Sequence, residues 1–393
     1  MSGTNLPSWP FFDPKQINAA TEVLNSGKVN YWTGSKCKTF EDDFGKLVES
    51  KYSISVANGS LALSLAYLAC GISSGDEVIT SPRSFVATAS SICLLRAKPV
   101  FADIDINSGN ITAATIEKVI TNRTKAIAVV HIAGWPANMI EIKALAAKYG
   151  LFVIEDCAQA HGAMILQNGF FKSVGSFGDI SAWSFCQDKI ISTGGEGGMV
   201  TTNNKKLWEK MWSMKDHGKD YKLTFNNSPS TGFRWLHRNF GSNFRLTEFQ
   251  SAIGIEQIKL LDSWRDLRER NAQIIINSLS NLECVRIPLP SNEYKHAWYK
   301  FYCYLIPEKL SKSWNRSKIL KEIQKNGYPA LEGGCSEVYL EKCFSHFKYK
   351  RLNNAKSLGE TSMMFLIHPT ISEEQMKEYA QIIRETLINA SKS

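Results

Sequence analysis

Lys189 closes the segment Trp183-Ser184-Phe185-Cys186-Gln187-Asp188-Lys189, and the run Gly194-Gly195-Glu196-Gly197-Gly198 follows it closely. Upstream, the apolar run Leu151-Phe152-Val153-Ile154 ends in Glu155-Asp156. A strand ending in an acid, then a second strand ending near a lysine and a glycine cluster, is the layout that pyridoxal 5′-phosphate (PLP) chemistry requires. The carboxylate of Asp156 can hold the pyridine nitrogen protonated through a charge-assisted hydrogen bond. The amine of Lys189 can form the Schiff base. Each residue alone has an ordinary reading: an acid at a strand end caps a turn, and Lys189 is one of 46 basic residues. The pairing, not either member, carries the argument.

Three further positions suit a phosphate and a planar ring. Asn58-Gly59-Ser60 opens an expected helix, where free N–H groups and the positive end of the dipole can meet an anion. Ser184, five residues before Lys189, can add a hydroxyl. Phe85 can stack on a ring, although a core aromatic at a helix start would look the same. The glycine run itself matches no nucleotide loop of the G-x-x-x-x-G-K-[ST] kind.

These residues need a frame to hold them. From 52 to about 205 the chain alternates strand candidates (53–57, 77–80, 100–104, 126–131, 152–155, 180–185, 199–202) with helical stretches at 60–70, 85–96, 113–120 and 138–149. That alternation predicts a mainly parallel sheet covered on both faces. The strand Ala126-Ile127-Ala128-Val129-Val130 is apolar throughout, as burial on two faces demands. Ligands of such sheets gather beyond the carboxyl ends of the strands, where Asp156, Gln159 and Phe85 fall. An amphipathic helix is expected over 14–26, ended by Gly27. The polar loop 28–34, with Tyr31 and Trp32, could face a ligand or pack on the main domain. A long helical stretch over 246–275 leads out of the large domain. Beyond it, a strand at 300–305 and helices at 315–326 and 372–390 predict a smaller α+β unit.

The chain has 393 residues, more than one core ordinarily serves, so two domains are expected. Its charge of +9 is spread along the sequence, with Lys348-Tyr349-Lys350-Arg351 the densest cluster. No basic stripe or module points to nucleic acid; a basic surface suits small anionic substrates. No run approaches the roughly 20 apolar residues of a membrane span. The first residues lack a secretory signal pattern. Nine cysteines without Cys-x-x-Cys spacing fit reduced thiols in a cytoplasm. No metal set is expected.

The chain resembles the DegT/DnrJ/EryC1/StrS family of sugar aminotransferases, of PLP fold type I. The matching segments are Ala57-Asn58-Gly59-Ser60, Gly75-Asp76-Glu77-Val78, Phe101-Ala102-Asp103-Ile104-Asp105, Glu155-Asp156-Cys157-Ala158-Gln159-Ala160-His161-Gly162, Ser184-Phe185 through Lys189, Thr193-Gly194-Gly195-Glu196-Gly197-Gly198 and Gly241-Ser242-Asn243-Phe244-Arg245-Leu246-Thr247. The resemblance implies a large domain, 1–255, with a mainly parallel, mixed seven-stranded sheet and an N-terminal arm, and a smaller α+β domain, 256–393. It implies that Lys189 carries the cofactor and moves protons, and that Asp156 binds the pyridine nitrogen. Gln159 and Phe85 lie on the two faces of the ring, and Gly59, Ser60 and Ser184 hold the phosphate. Asn243 reaches the phosphate of the neighbouring subunit's cofactor, so the active sites of a homodimer are shared. The implied reaction moves an amino group from an amino acid, L-glutamate by analogy, to a keto-sugar nucleotide for a surface polysaccharide such as O-antigen, or for a glycoconjugate. Residues 328–339 lack the histidine that many members carry there, which bears on the sugar. A PLP-dependent sugar-nucleotide dehydratase and a non-catalytic binder are the alternatives. Lysine at 189, where some of those dehydratases carry histidine, argues against the first; the lack of a DNA-binding extension argues against the second.

Overall fold

The structure, a computed structural model, describes residues 5–225 and 234–391. Residues 1–4, part of the start read above as lacking a signal pattern, lie outside the described residues. Seven strands form the main sheet: β1 (Tyr52–Val56), β2 (Glu77–Thr80), β3 (Lys98–Phe101), β4 (Thr124–Val130), β5 (Phe152–Asp156), β8 (Ile180–Ser184) and β9 (Gly198–Thr202). Between β5 and β8 the hairpin β6 (Met164–Gln167) and β7 (Phe170–Ser173) projects from the sheet. The order is β1-β9-β8-β5-β4-β2-β3, with β9 antiparallel to both neighbours and the other pairings parallel. All seven expected strands are therefore present.

Residues next to each other on a strand enter opposite cores, because side chains alternate across a sheet. Ile79, Ile127, Val129, Val153 and Trp183 join one cluster, with Phe40 and Phe44. Val78, Ala126, Ala128, Ile154 and Ala182 join the other, with Leu63 and Tyr67. Both faces are dry, which explains the unbroken apolar runs. Phe40 and Phe44 come from the helix Lys36–Leu47, which the sequence reading did not include. Their spacing of four, with Cys37 on the same side, is the helical signal it missed.

Register sets the functional edge of the sheet. Gly198 pairs with Val56 on one side and Ser184 on the other, so these three residues form one row. A Cβ at Gly198 would lie 2.5 Å from the carbonyl carbon and oxygen of Asn58, so only glycine lets the chain leave β1 into the helix Gly59–Ala69. Asp156 ends β5, beside Val130 and Ala182.

The expected helical stretch over 246–275 is two helices, Glu248–Ile258 and Leu261–Leu279. The break at 259–260 carries no glycine or proline. It redirects the chain so that Leu261 enters the large core while Ala272, Ile275 and Leu279 enter a second one. That second core surrounds the antiparallel strands β10 (Val285–Arg286), β12 (Phe301–Leu305) and β13 (Ser362–Phe365), with β12 central, and the helices Arg316–Lys325 and Glu373–Ala390. A short strand, β11 (Tyr294–Lys295), adds to β6 of the hairpin and ties the two regions together.

Glu155 anchors the site edge from inside the protein. Its buried carboxylate accepts from Gly175 N (2.8 Å), Phe177 N (2.9 Å) and Gly178 N, and from His131 Nε2 at 3.0 Å. His131 Nδ1 accepts from Ala137 N at 3.0 Å, so the ring proton resides on Nε2. Burial alone would raise this carboxyl. The His131 contact and the backbone donors outweigh it and hold the group below its ordinary range. Its stabilising contribution is thus complete above pH about 4.3 and disappears as pH falls through the lowered folded value. Urea unfolding should show Glu155→Ala destabilised by about 3 kcal/mol or more, because several buried donors lose their acceptor. The acid limb of its stability–pH curve should be flatter than that of the wild type.

Candidate active site

A cavity of about 740 Å³ opens at the carboxyl ends of β4, β5 and β8. Its lining includes Gly59, Ser60, Phe85, Asp156, Gln159, Ser184 and Lys189. Seven of the eight expected site residues, drawn from positions 59 to 189, thus share one space.

Lys189 follows a tight turn in which its N–H donates to Cys186 O at 3.1 Å. Its carbonyl accepts from the indole Nε1 of Trp9 at 3.0 Å, so a strap from the N-terminus fixes the lysine backbone. Its amine lies 3.5 Å from the Tyr299 hydroxyl and 3.7 Å from Asp188 Oδ1. The Tyr299 hydroxyl donates to Asp188 Oδ2. Burial and the Asp188 charge push the Tyr299 phenol far up, so it remains a donor to Asp188 and can accept from Lys189. Asp188 is held below the usual carboxylate range: burial opposes ionisation, but Lys189 and the Tyr299 hydroxyl outweigh it.

Asp156 is only 6% exposed. Its Oδ2 accepts from Thr88 Oγ1 at 2.7 Å and its Oδ1 from Ala158 N at 3.2 Å. Because Thr88 gives its proton to Asp156, Ser84 Oγ, 2.7 Å from Thr88 Oγ1, must be the donor in that contact. Burial pushes the Asp156 carboxyl up, against the Thr88 and Ala158 hydrogen bonds and the Lys189 charge. A carboxylate with two of its lone-pair sites filled and a net cost of ionisation calls for a cationic donor from the cavity side.

The end of the cavity at Gly59 and Ser60 is built from backbone. Asn58 caps the helix Gly59–Ala69 by accepting from Leu61 N at 2.9 Å. The first-turn N–H groups of Gly59 and Ser60 have no helical acceptor. A Cβ at Gly59 would lie 2.6 Å from Ser184 Cβ, so glycine allows helix and strand to meet and form the cradle. Gln159 Oε1 accepts from Ala133 N at 2.7 Å, which orients its amide N–H₂. Phe85 is 67% exposed, an aromatic face left open at the cavity wall.

Asn243 stands apart. It is exposed, is absent from the cavity lining, pairs with Asp216 in an isolated bridge and accepts from Arg245 N at 3.3 Å. The loop 28–34 also stays outside the lining. Tyr31 is buried against Glu41, and Trp32 meets Trp212 edge-on, so this segment packs on the large core. Thr88, Tyr299, Asp188 and Trp9 have no assigned role in the sequence reading, although Asp188 stands in the segment that Lys189 closes. Thr88 lay within the expected 85–96 helix, but nothing in the pattern pairs it with Asp156.

The residues fit PLP: a buried acid short of a cation, a lysine facing the same space, and a glycine cradle at a helix start. A model of the DegT/DnrJ/EryC1/StrS aminotransferase family matches residues 11–384. The UDP-N-acetyl-3-dehydro-alpha-D-glucosamine 3-aminotransferase of Acidithiobacillus ferrooxidans is 34% identical, covering 93% of this chain and 94% of its own. The solved aminotransferase from Psychrobacter cryohalolentis is 46% identical with a TM-score of 0.95, covering 98% of this chain and 99% of that one. Bacillus subtilis NtdA, solved with its cofactor PMP bound, is 25% identical with a TM-score of 0.81, covering 95% of this chain and 81% of that one. Among the described residues no helix is long and apolar enough to cross a membrane. The chain belongs to the DegT/DnrJ/EryC1/StrS aminotransferase family and is a PLP-dependent aminotransferase.

Proposed function

We propose that the enzyme moves an amino group from L-glutamate to a keto-sugar nucleotide, in the cytoplasm, toward an amino-deoxy sugar of a surface polysaccharide or glycoconjugate. The observation that carries this reading is the meeting of Lys189 and Asp156 in one cavity. When bound, PLP supplies an aldehyde that captures the amine and a ring that withdraws electrons from the reacting carbon. Lys189 Nζ accepts the proton of that carbon and returns it. The Tyr299 hydroxyl and Asp188 steer the lysine amine, and Trp9 fixes its backbone. Asp156 holds the ring nitrogen in its cationic form, and Thr88 orients the carboxylate for it. Gly59, Ser60 and Ser184 bind phosphate, while Phe85 and Gln159 flank the ring. Residues 1–255 hold the cofactor, and 256–393 supply Tyr299, Lys300 and Tyr302 to the cavity wall.

The same reading makes the enzyme a homodimer in which Asn243 completes the neighbour's phosphate site. Its exposure in the single chain supports that role. The charge of +9 suits the diphosphate of a sugar nucleotide.

Loading with L-glutamate and then offering a panel of keto-sugar nucleotides should regenerate the aldehyde form with one or a few of them; failure with every keto sugar would overturn the substrate class. Lys189→Ala should lose turnover entirely in this assay. Asp156→Asn should lose at least about 100-fold, as expected when one partner of a buried charge pair is removed. Mixing subunits of Lys189→Ala with subunits of Asn243→Ala, each inactive or nearly so alone, should restore activity. The heterodimer contains one site with both residues intact. No recovery after confirmed subunit exchange would contradict a shared site.

A further inference from the structure

Beside the cofactor cavity lies a recess of about 20 Å³ that shares Ile132, Lys300 and Tyr302 with it. Arg83 forms one wall and is 1% exposed. Its guanidinium stacks over the rings of Tyr302 (4.8 Å) and Tyr304 (5.4 Å), and its Nη1 donates to the Tyr304 hydroxyl at 2.7 Å. Its Nε is buried without a partner, and Arg83 makes no ion pair among the described residues. A buried cation without a counter-charge is costly, and an unused buried donor adds to the cost.

Five other side chains of the recess also present donors, while the Ser108 hydroxyl gives its proton to Asp105 Oδ1 at 3.0 Å. Asn107 Oδ1 is occupied by Arg286 Nη1 at 2.8 Å, which leaves its amide N–H₂. His296 Nδ1 accepts from Trp298 N at 2.7 Å, and burial pushes the imidazole down to about 3, so the neutral ring carries its proton on Nε2. The Tyr304 oxygen accepts from Arg83, and the Tyr302 oxygen accepts from Gly334 N at 2.9 Å, so each hydroxyl retains a proton to donate. Lys300 adds an ammonium that burial pushes down to about 8. The recess has room for roughly one oxygen atom, and three of its lining residues also line the main cavity.

We infer that Arg83, with Asn107, His296, Lys300, Tyr302 and Tyr304, forms a carboxylate-binding subsite beside the cofactor cavity. This rests on the aminotransferase reading above. A carboxylate there has two sources: the amino-acid donor, or an acidic group on the sugar of the nucleotide. A carboxylate from either source would offer an acceptor to the unpartnered Nε and supply the missing negative charge.

The test compares wild-type and Arg83→Gln holoenzymes in two assays: the L-glutamate half-reaction, followed by the cofactor's absorbance, and equilibrium binding of UDP-glucuronate against UDP-glucose. A rise of about 10–100-fold in the L-glutamate concentration giving half the limiting rate, with the cofactor retained, assigns the subsite to the donor. A wild-type preference for UDP-glucuronate that Arg83→Gln loses assigns it to the sugar. Lys300→Met, which alters a second cation of the recess, carries the same expectation if Arg83→Gln does not fold. Glutamate kinetics and nucleotide binding both within twofold of the wild type would overturn the inference. A wild-type enzyme inert to L-glutamate would count against the donor reading instead, and the nucleotide-binding comparison would then decide the subsite.

Discussion

A buried carboxylate that the protein does not fully satisfy organises this molecule. Glu155 and Asp156 are neighbours at the end of one strand, yet they meet opposite environments because side chains alternate across a sheet. Glu155 turns toward the protein, where His131 and three backbone N–H groups surround it. Asp156 turns toward the cavity with only Thr88 and Ala158 as donors among the described residues. Burial makes the second carboxylate expensive to ionise, and a cationic ring nitrogen removes that cost. The first acid makes the strand end rigid, so the second can wait in place for its partner.

The rest of the fold serves that placement. The row Val56, Gly198 and Ser184 brings the helix start at Gly59 and Ser60 to the edge where Asp156 ends its strand. Two close approaches depend on glycine, at 59 and 198, where a side chain would collide with Ser184 or with the Asn58 backbone. Lys189 is held at both ends, by Trp9 at its carbonyl and by the Tyr299–Asp188 pair at its amine. Arg268 reinforces the arrangement. It is buried, stacks under Trp9 at 5.0 Å and donates to the carbonyls of Trp298 and Tyr299. The lysine's two supports are thereby linked to each other through one cation.

The parts legible in the sequence are those with a local cause. The seven strands announce themselves because two dry faces demand continuous apolar runs. Asp156 and Lys189 could be paired because the first closes such a run and the second follows another by five residues. Asn168-Gly169 was an equally local signal for the hairpin of β6 and β7. Both residues have positive φ, 52° and 84°, as that turn requires, and the reading passed over it. Other features have no local cause. Tyr299 stands 110 positions after Lys189, and only the docking of the second core onto the first brings them together. Thr88 meets Asp156 across 68 positions because the helix after β2 and the end of β5 come together at one edge of the main sheet. The break at 259–260 answers to which core each helix must fill, so no residue marks it. Asn243 lies outside the cavity of its own chain, so nothing within that chain joins it to the other site residues.

The most direct measurement is to reduce the cofactor-loaded enzyme with borohydride, digest it and locate the modified residue by mass spectrometry. One pyridoxyl phosphate group on the peptide bearing Lys189, and on no other, is the result expected of a lysine facing Asp156 across a single cavity. Label on a different lysine, or none on an enzyme that has taken up PLP, would contradict the account.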